Sequence, residues 1–194
     1  MAMIKKKHLK PVTKLFCKFV SVLPMECKNR CLCHYDPFYG VNVYDCSRKN
    51  FTSLPDFMQP ETDWLIVKKN KLTSLNKMHG YINKISYIDA RENNIRYVSE
   101  GVLQSINRSK TMKQLNLAYN KLSFLPFSFK TLKLKTWLKG NPFACNCDML
   151  WMIDWFNKTD VQDGKEIKCA KGKMIGKLIY QLNVTKMGCG PIYK

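Results

Sequence analysis

The chain has 194 residues, 45% of them hydrophobic, and carries 33 Lys and Arg against 14 Asp and Glu, a formal net charge of +19. That length is enough for one domain with a core of its own. The positive excess is spread along the chain rather than gathered in one dense block, which argues against a nucleic-acid-binding arm. Nor does the chain hold a run of about 18 apolar residues that would span a membrane.

Nine cysteines are too many for an ordinary cytosolic chain of this size, and eight of them form two compact groups of four. They point to an oxidising compartment. Four N-x-[ST] glycosylation sequons, at Asn50, Asn107, Asn157 and Asn183, agree with it.

In chain order, residues 1–26 begin with Lys5, Lys6, Lys7 and Lys10 and run into an apolar stretch, Leu15 to Leu23, that Lys18 interrupts. The uninterrupted part is shorter than the apolar core of a secretion signal. Two readings stay open for this basic segment: an imperfect signal peptide, or an extraneous piece of a chain whose natural start is not Met1. Cys17, the ninth cysteine, has no evident partner.

Residues 27–55 contain Cys27-x3-Cys31-x-Cys33-x12-Cys46, followed by Ser47, Phe51 and Leu54-Pro55. The spacing lacks the paired C-x2-C of common zinc modules, although a zinc site that also uses His34 competes with disulfides. The segment resembles the N-terminal cap of extracellular leucine-rich-repeat proteins, and the long spacer between Cys33 and Cys46 resembles the inner N-terminal cap of Toll-type receptors. The resemblance implies disulfides Cys27 to Cys33 and Cys31 to Cys46. It also implies a short hairpin whose second strand, Val41 to Cys46, starts a sheet.

Residues 56–140 carry an internal repeat of the form L-x-x-L-x-L-x-x-N-x-L. The first copy has Leu65, Val67, Asn70 and Leu72, the second Ile85, Ile88, Ala90, Asn93 and Ile95, and the third Met112, Leu115, Leu117, Asn120 and Leu122. A truncated copy follows, with Leu138, Asn141 and Phe143. Alternating apolar residues turn one strand face inward, and the bend after each strand needs an Asn amide to satisfy backbone groups. So few coils expose apolar edges at both ends, so caps are required where the two cysteine groups sit.

Residues 141–190 hold N-P-F-x-C-x-C-x-M-x-W-M-x-x-W-F and then Cys169 and Cys189. Met149, Met152, Phe156, Trp151 and Trp155 recur at helical spacings, which predicts a helix burying both tryptophans. Cys145 and Cys147 are too close in sequence to bond each other easily, so each reaches forward. Four cysteines leave three pairings open, and zinc is again the competing reading. The segment resembles the C-terminal cap of the same extracellular proteins, which implies Cys145 to Cys169 and Cys147 to Cys189. The fold class expected is an α/β solenoid: a short leucine-rich-repeat horseshoe with a parallel concave sheet and disulfide-bonded caps.

No G-x-S-x-G, H-E-x-x-H or phosphate-cradling glycine loop is present, and His8, His34 and His79 are scattered. The chain therefore reads as non-enzymatic, with no cofactor or metal. Function in this architecture lies on the concave strand face. The repeat template puts Trp64, Ile66, Tyr87, Asp89, Arg91 and Trp137 there as candidate contact residues. Asp89 and Glu92 read as interface or solvated carboxylates without a raised pKa. The bland reading of Trp64 and Trp137 is that each covers a neighbouring coil or cap.

The Toll-type resemblance implies a secreted or cell-surface ectodomain that binds a protein ligand or pairs with a receptor partner in innate immunity or development. Its full-length relatives would cross the membrane once and signal through a further domain. The competing class is a secreted matrix or adhesion protein that binds anionic glycans through its basic surface.

Overall fold

The computed structural model describes residues 31–55, 58, 61–78, 80–158 and 161–190. The basic segment with Cys17, together with Cys27 and His79, lies outside them. Among the described residues there are eight strands: β1 Leu32–Asp36, β2 Val41–Asp45, β3 Trp64–Ile66, β4 Ser74–Leu75, β5 Tyr87–Asp89, β6 Tyr97–Val98, β7 Gln114–Asn116 and β8 Lys135–Trp137. Six of them form one sheet in the order β1-β2-β3-β5-β7-β8, while β4 and β6 pair separately. The β1–β2 hairpin is antiparallel, and every later neighbour in the large sheet is parallel.

The register aligns equivalent repeat positions across the coils. Val43, Trp64, Tyr87, Gln114 and Lys135 form one row, and Asp45, Ile66, Asp89, Asn116 and Trp137 form another. Between these rows the side chains point the other way. Tyr44, Leu65, Ile88, Leu115 and Thr136 are buried inside the stack. Leu72, Ile95, Leu122 and Phe143, two residues after each repeat asparagine, close the core behind the sheet.

The four asparagines tie each coil to the one before it. Asn93 Nδ2 donates to the Val67 carbonyl of the preceding coil and to the Ala90 carbonyl of its own, and its Oδ1 accepts from the Leu72 N–H. Asn120 repeats the pattern with Ala90, Leu117 and Ile95, and Asn141 repeats it with Leu117, Leu138 and Leu122. Asn70 reaches back to the Cys46 carbonyl of the cap and accepts from the Lys49 and Phe51 N–H groups. The residue before each asparagine is left-handed: Lys69, Glu92, Tyr119 and Gly140 have φ of 57°, 55°, 55° and 75°. At the last of these only glycine fits, because a Cβ on Gly140 would lie 2.4 Å from Cδ1 of the Tyr119 ring.

The 27-residue step between Asn93 and Asn120 accommodates a helix that the repeat template does not anticipate, α1 Glu100–Arg108. Ser99 caps it by accepting from the Val102 N–H, and Val102, Leu103 and Ile106 bury its inner face.

The C-terminal cap closes the sheet by imitation. Within the stack, the N–H groups of Cys46, Val67, Ala90 and Leu117 each donate to a carbonyl of the next coil. At the last coil the Leu138 N–H donates to the Asp163 carboxylate, which also accepts from the Lys139 N–H at 2.8 Å. The predicted helix is present as α2 Leu150–Lys158. It buries Trp155, with Trp151 only half-buried, which corrects the expectation that both are enclosed. Trp151 lies over the rim instead, edge-on to Phe127 at 5.5 Å. A last short helix, α3 Val184–Met187, is capped by Asn183 and precedes Cys189.

Candidate functional site: the concave face

The concave face begins on the cap hairpin rather than at the first repeat. Asp36 Oδ1 accepts from the N–H groups of Phe38 and Tyr39, and Gly40 turns the chain at φ 67°. That turn holds two aromatic rings out of the cap, with Phe38 85% and Tyr39 60% exposed. From there the rings run in contact across the coils. Phe38 to Tyr39 is 4.8 Å, Tyr39 to Trp64 4.9 Å, Trp64 to Tyr87 5.5 Å and Tyr87 to Trp137 6.4 Å between centroids.

Trp64, Ile66, Tyr87 and Trp137 are each half-buried, with one side on the sheet and the other facing the concavity. Their packing along the face is partly with one another, so the two readings of the tryptophans coexist: each covers a neighbour and remains open to a partner. The repeat template does not point to Phe38 and Tyr39, which precede the first coil. The signal for them is the adjacent aromatic pair before Gly40.

Asp89 departs from expectation. It stands at a concave position, yet it is only 3% exposed, because Tyr87 and Arg91 close over it. Its Oδ2 lies 3.4 Å from Arg91 Nε, and its Oδ1 accepts from the Arg91 N–H. Burial raises its pKa above the ordinary 3.8, and the Arg91 N–H bond and the charges of Arg91 and Lys68 only partly offset that. Asp89 is therefore a support for the face and not a contact. Burial likewise raises the pKa of the Tyr87 hydroxyl, and the nearby Asp89 charge opposes its ionisation further. Glu92 is exposed and pairs with Lys69 at 3.3 Å.

The raised Asp89 pKa has a definite sign. The folded state holds the proton more tightly than the unfolded chain, so the resulting stability is complete below about pH 3.8 and is lost as pH rises through the folded value. Asp89→Asn should melt higher than the parent at pH 7, and the gap should close on acidification. A variant that melts lower at pH 7 would show that the Arg91 pair outweighs burial.

The caps present their cysteines joined in pairs: Cys31 to Cys46, Cys145 to Cys169 and Cys147 to Cys189. Cys33 is also disulfide-bonded. Among the described residues no group of three or more His, Cys, Asp or Glu is placed to hold a metal ion, and no helix is long and apolar enough to cross a membrane. Of the sequon residues, Asn50, Asn107 and Asn183 are exposed, the first beside the cap, the second on α1 and the third at the start of α3. Asn157 lies in α2.

Stacked parallel coils, a backward-reaching asparagine ladder and disulfide-bonded ends define the class: a capped leucine-rich-repeat module of the extracellular kind. No family model matches the chain. The comparisons with individual proteins agree on the class. The chain is 27% identical over 125 residues to leucine-rich repeat-containing protein 3B of Bos taurus, covering 63% of this chain and 46% of that protein. It is 27% identical over 158 residues to the trophoblast glycoprotein of Macaca fascicularis, covering 79% of this chain and 33% of that one. A chain in the structure of the Drosophila Toll–Spatzle complex superposes with a TM-score of 0.67 at 19% identity, over 82% of this chain and 21% of that chain. At that identity the likeness is one of fold. The chain spans about half the length of the first curated relatives it matches.

Proposed function

We propose that the chain is a non-enzymatic recognition module that binds a protein, either a ligand or a receptor partner, along its concave aromatic face. The observation that carries this is the file of exposed and half-buried rings from Phe38 to Trp137, flanked by Lys68, Arg91 and Lys135. Aromatic anchors beside cations are the side chains that dominate protein interfaces. The Toll–Spatzle structure is described as a hub in development and innate immunity. Its likeness in fold supports placing this module in ligand capture or receptor pairing of that kind.

The test uses Tyr39→Ala and Trp64→Ala, because neither side chain supports the buried Asp89. A partner recovered by proximity labelling at the cell surface is titrated against the parent and both variants. Each substitution is expected to weaken binding by about 1–4 kcal/mol if its ring is an anchor. A double variant that remains folded and keeps full affinity would move the interface off this face.

A further inference from the structure

The strands enter the sheet on one flank of the solenoid and leave it on the other, and the register sorts charge between the two. On the exit flank, the left-handed bend sets Arg48 beside Lys69. One step further along the chain, Lys71, Asn94 and Lys121 occupy equivalent places on successive coils. Beyond them Arg96 lines up with Ser123, Ala144 and finally Lys171, which bridges to Ala144 from the C-terminal cap. All six cations are exposed. Among the described residues only Lys69 has an ion-pair partner, Glu92. The entry flank is more balanced: Glu61 and Asp63 accompany Lys84, Lys110, Lys113 and Lys133.

We propose that the exit flank is a second binding site, separate from the aromatic face, for a linear sulfated polysaccharide laid across the coils. Neighbouring strands repeat at about 4.8 Å, so the six cations, two in each of three rows, are together spread at right angles to the strands over roughly 20 Å from cap to cap. That geometry suits an extended polyanion rather than a single small anion. Sulfate groups stay ionised at every physiological pH and take charge-assisted hydrogen bonds from Arg and Lys. The disulfides place the module where such chains occur and where nucleic acid is not the usual partner.

The experiment titrates the full chain with a heparin octasaccharide at several NaCl concentrations. One variant carries Arg48→Gln, Lys71→Gln, Arg96→Gln and Lys121→Gln. The other removes the same charge from the entry flank through Lys84→Gln, Lys110→Gln, Lys113→Gln and Lys133→Gln. The exit-flank variant should lose at least about tenfold in affinity near 0.15 M salt, with the slope of log K against log salt falling by about 3, roughly 0.7 for each cation removed. The entry-flank variant should stay within about twofold of the parent on the same scale. Equal losses in both would reduce the effect to net charge and overturn the site, as would absence of parent binding near physiological salt. Polyglutamate binding as tightly as heparin would overturn the sulfated-glycan assignment in favour of an acidic protein. The Tyr39→Ala, Trp64→Ala double variant should bind heparin like the parent, and a matching loss there would merge the two sites.

Discussion

Asn120→Ala is expected to destabilise the fold by about 3–5 kcal/mol, far beyond an ordinary surface change. The amide is 2% exposed and serves two coils at once. Its removal strands the Ile95 N–H and takes one of two amide donors from each of the Ala90 and Leu117 carbonyls, which keep Asn93 and Asn141. The stranded N–H costs about 1–3 kcal/mol, and each of the two lost carbonyl bonds about 0.5–1.5 kcal/mol. The control is Asn94→Ala, one coil earlier, whose side chain is exposed and which should change stability by less than about 0.5 kcal/mol. Denaturant melts of both variants decide the matter, and hydrogen exchange should show the Ile95 amide released first. Equal stability of the two would mean that the ladder follows the fold instead of holding it.

Removing the Cys147–Cys189 bond by a double Ala substitution should cost about 4 kcal/mol in the chain-entropy account, since 42 residues separate the two cysteines. The same account gives about 3 kcal/mol for the 15-residue separation of Cys31 and Cys46. Because Cys189 lies just beyond α3, its release should let that helix and the cleft lined by Leu150, Trp151, Ile153 and Leu182 open before the sheet does. Non-reducing peptide mapping tests the pairing directly. Bonds confined within 27–46 and within 145–189 are expected, and a bond crossing between the groups would break the two-cap arrangement.

The fold is legible in the sequence because its signals are local and repeated. The asparagine spacing and the apolar alternation each recur several times, so no single residue has to be read correctly. What escapes such reading depends on contacts between coils. Asp89 occupies a position that alternation assigns to the open face, and only the neighbouring Tyr87 and Arg91 side chains determine that it is covered. Helix α1 hides in a stretch that interrupts the repeat period, where Ser99 and the spacing of Val102, Leu103 and Ile106 are its only marks. Phe38 and Tyr39 fall in a turn, and a turn's direction is set by Asp36 and Gly40 rather than by any periodicity. Trp151 and Trp155 share a helix with apolar residues on several sides, so spacing does not say which indole is enclosed.

The asparagine ladder is directional: every amide reaches toward the amino terminus, whereas the open strand N–H groups of each coil look toward the carboxyl terminus for their acceptors. A chain emerging from the ribosome therefore completes each coil only when the following one has been made. The Asp163 carboxylate, acting as the acceptor for Leu138 and Lys139, is the event that ends this dependency. Until it arrives, a nascent chain presents a raw strand edge of the kind that pairs with other chains. The open edge is thus handed from coil to coil throughout synthesis of the repeats and is closed only when Asp163 follows β8.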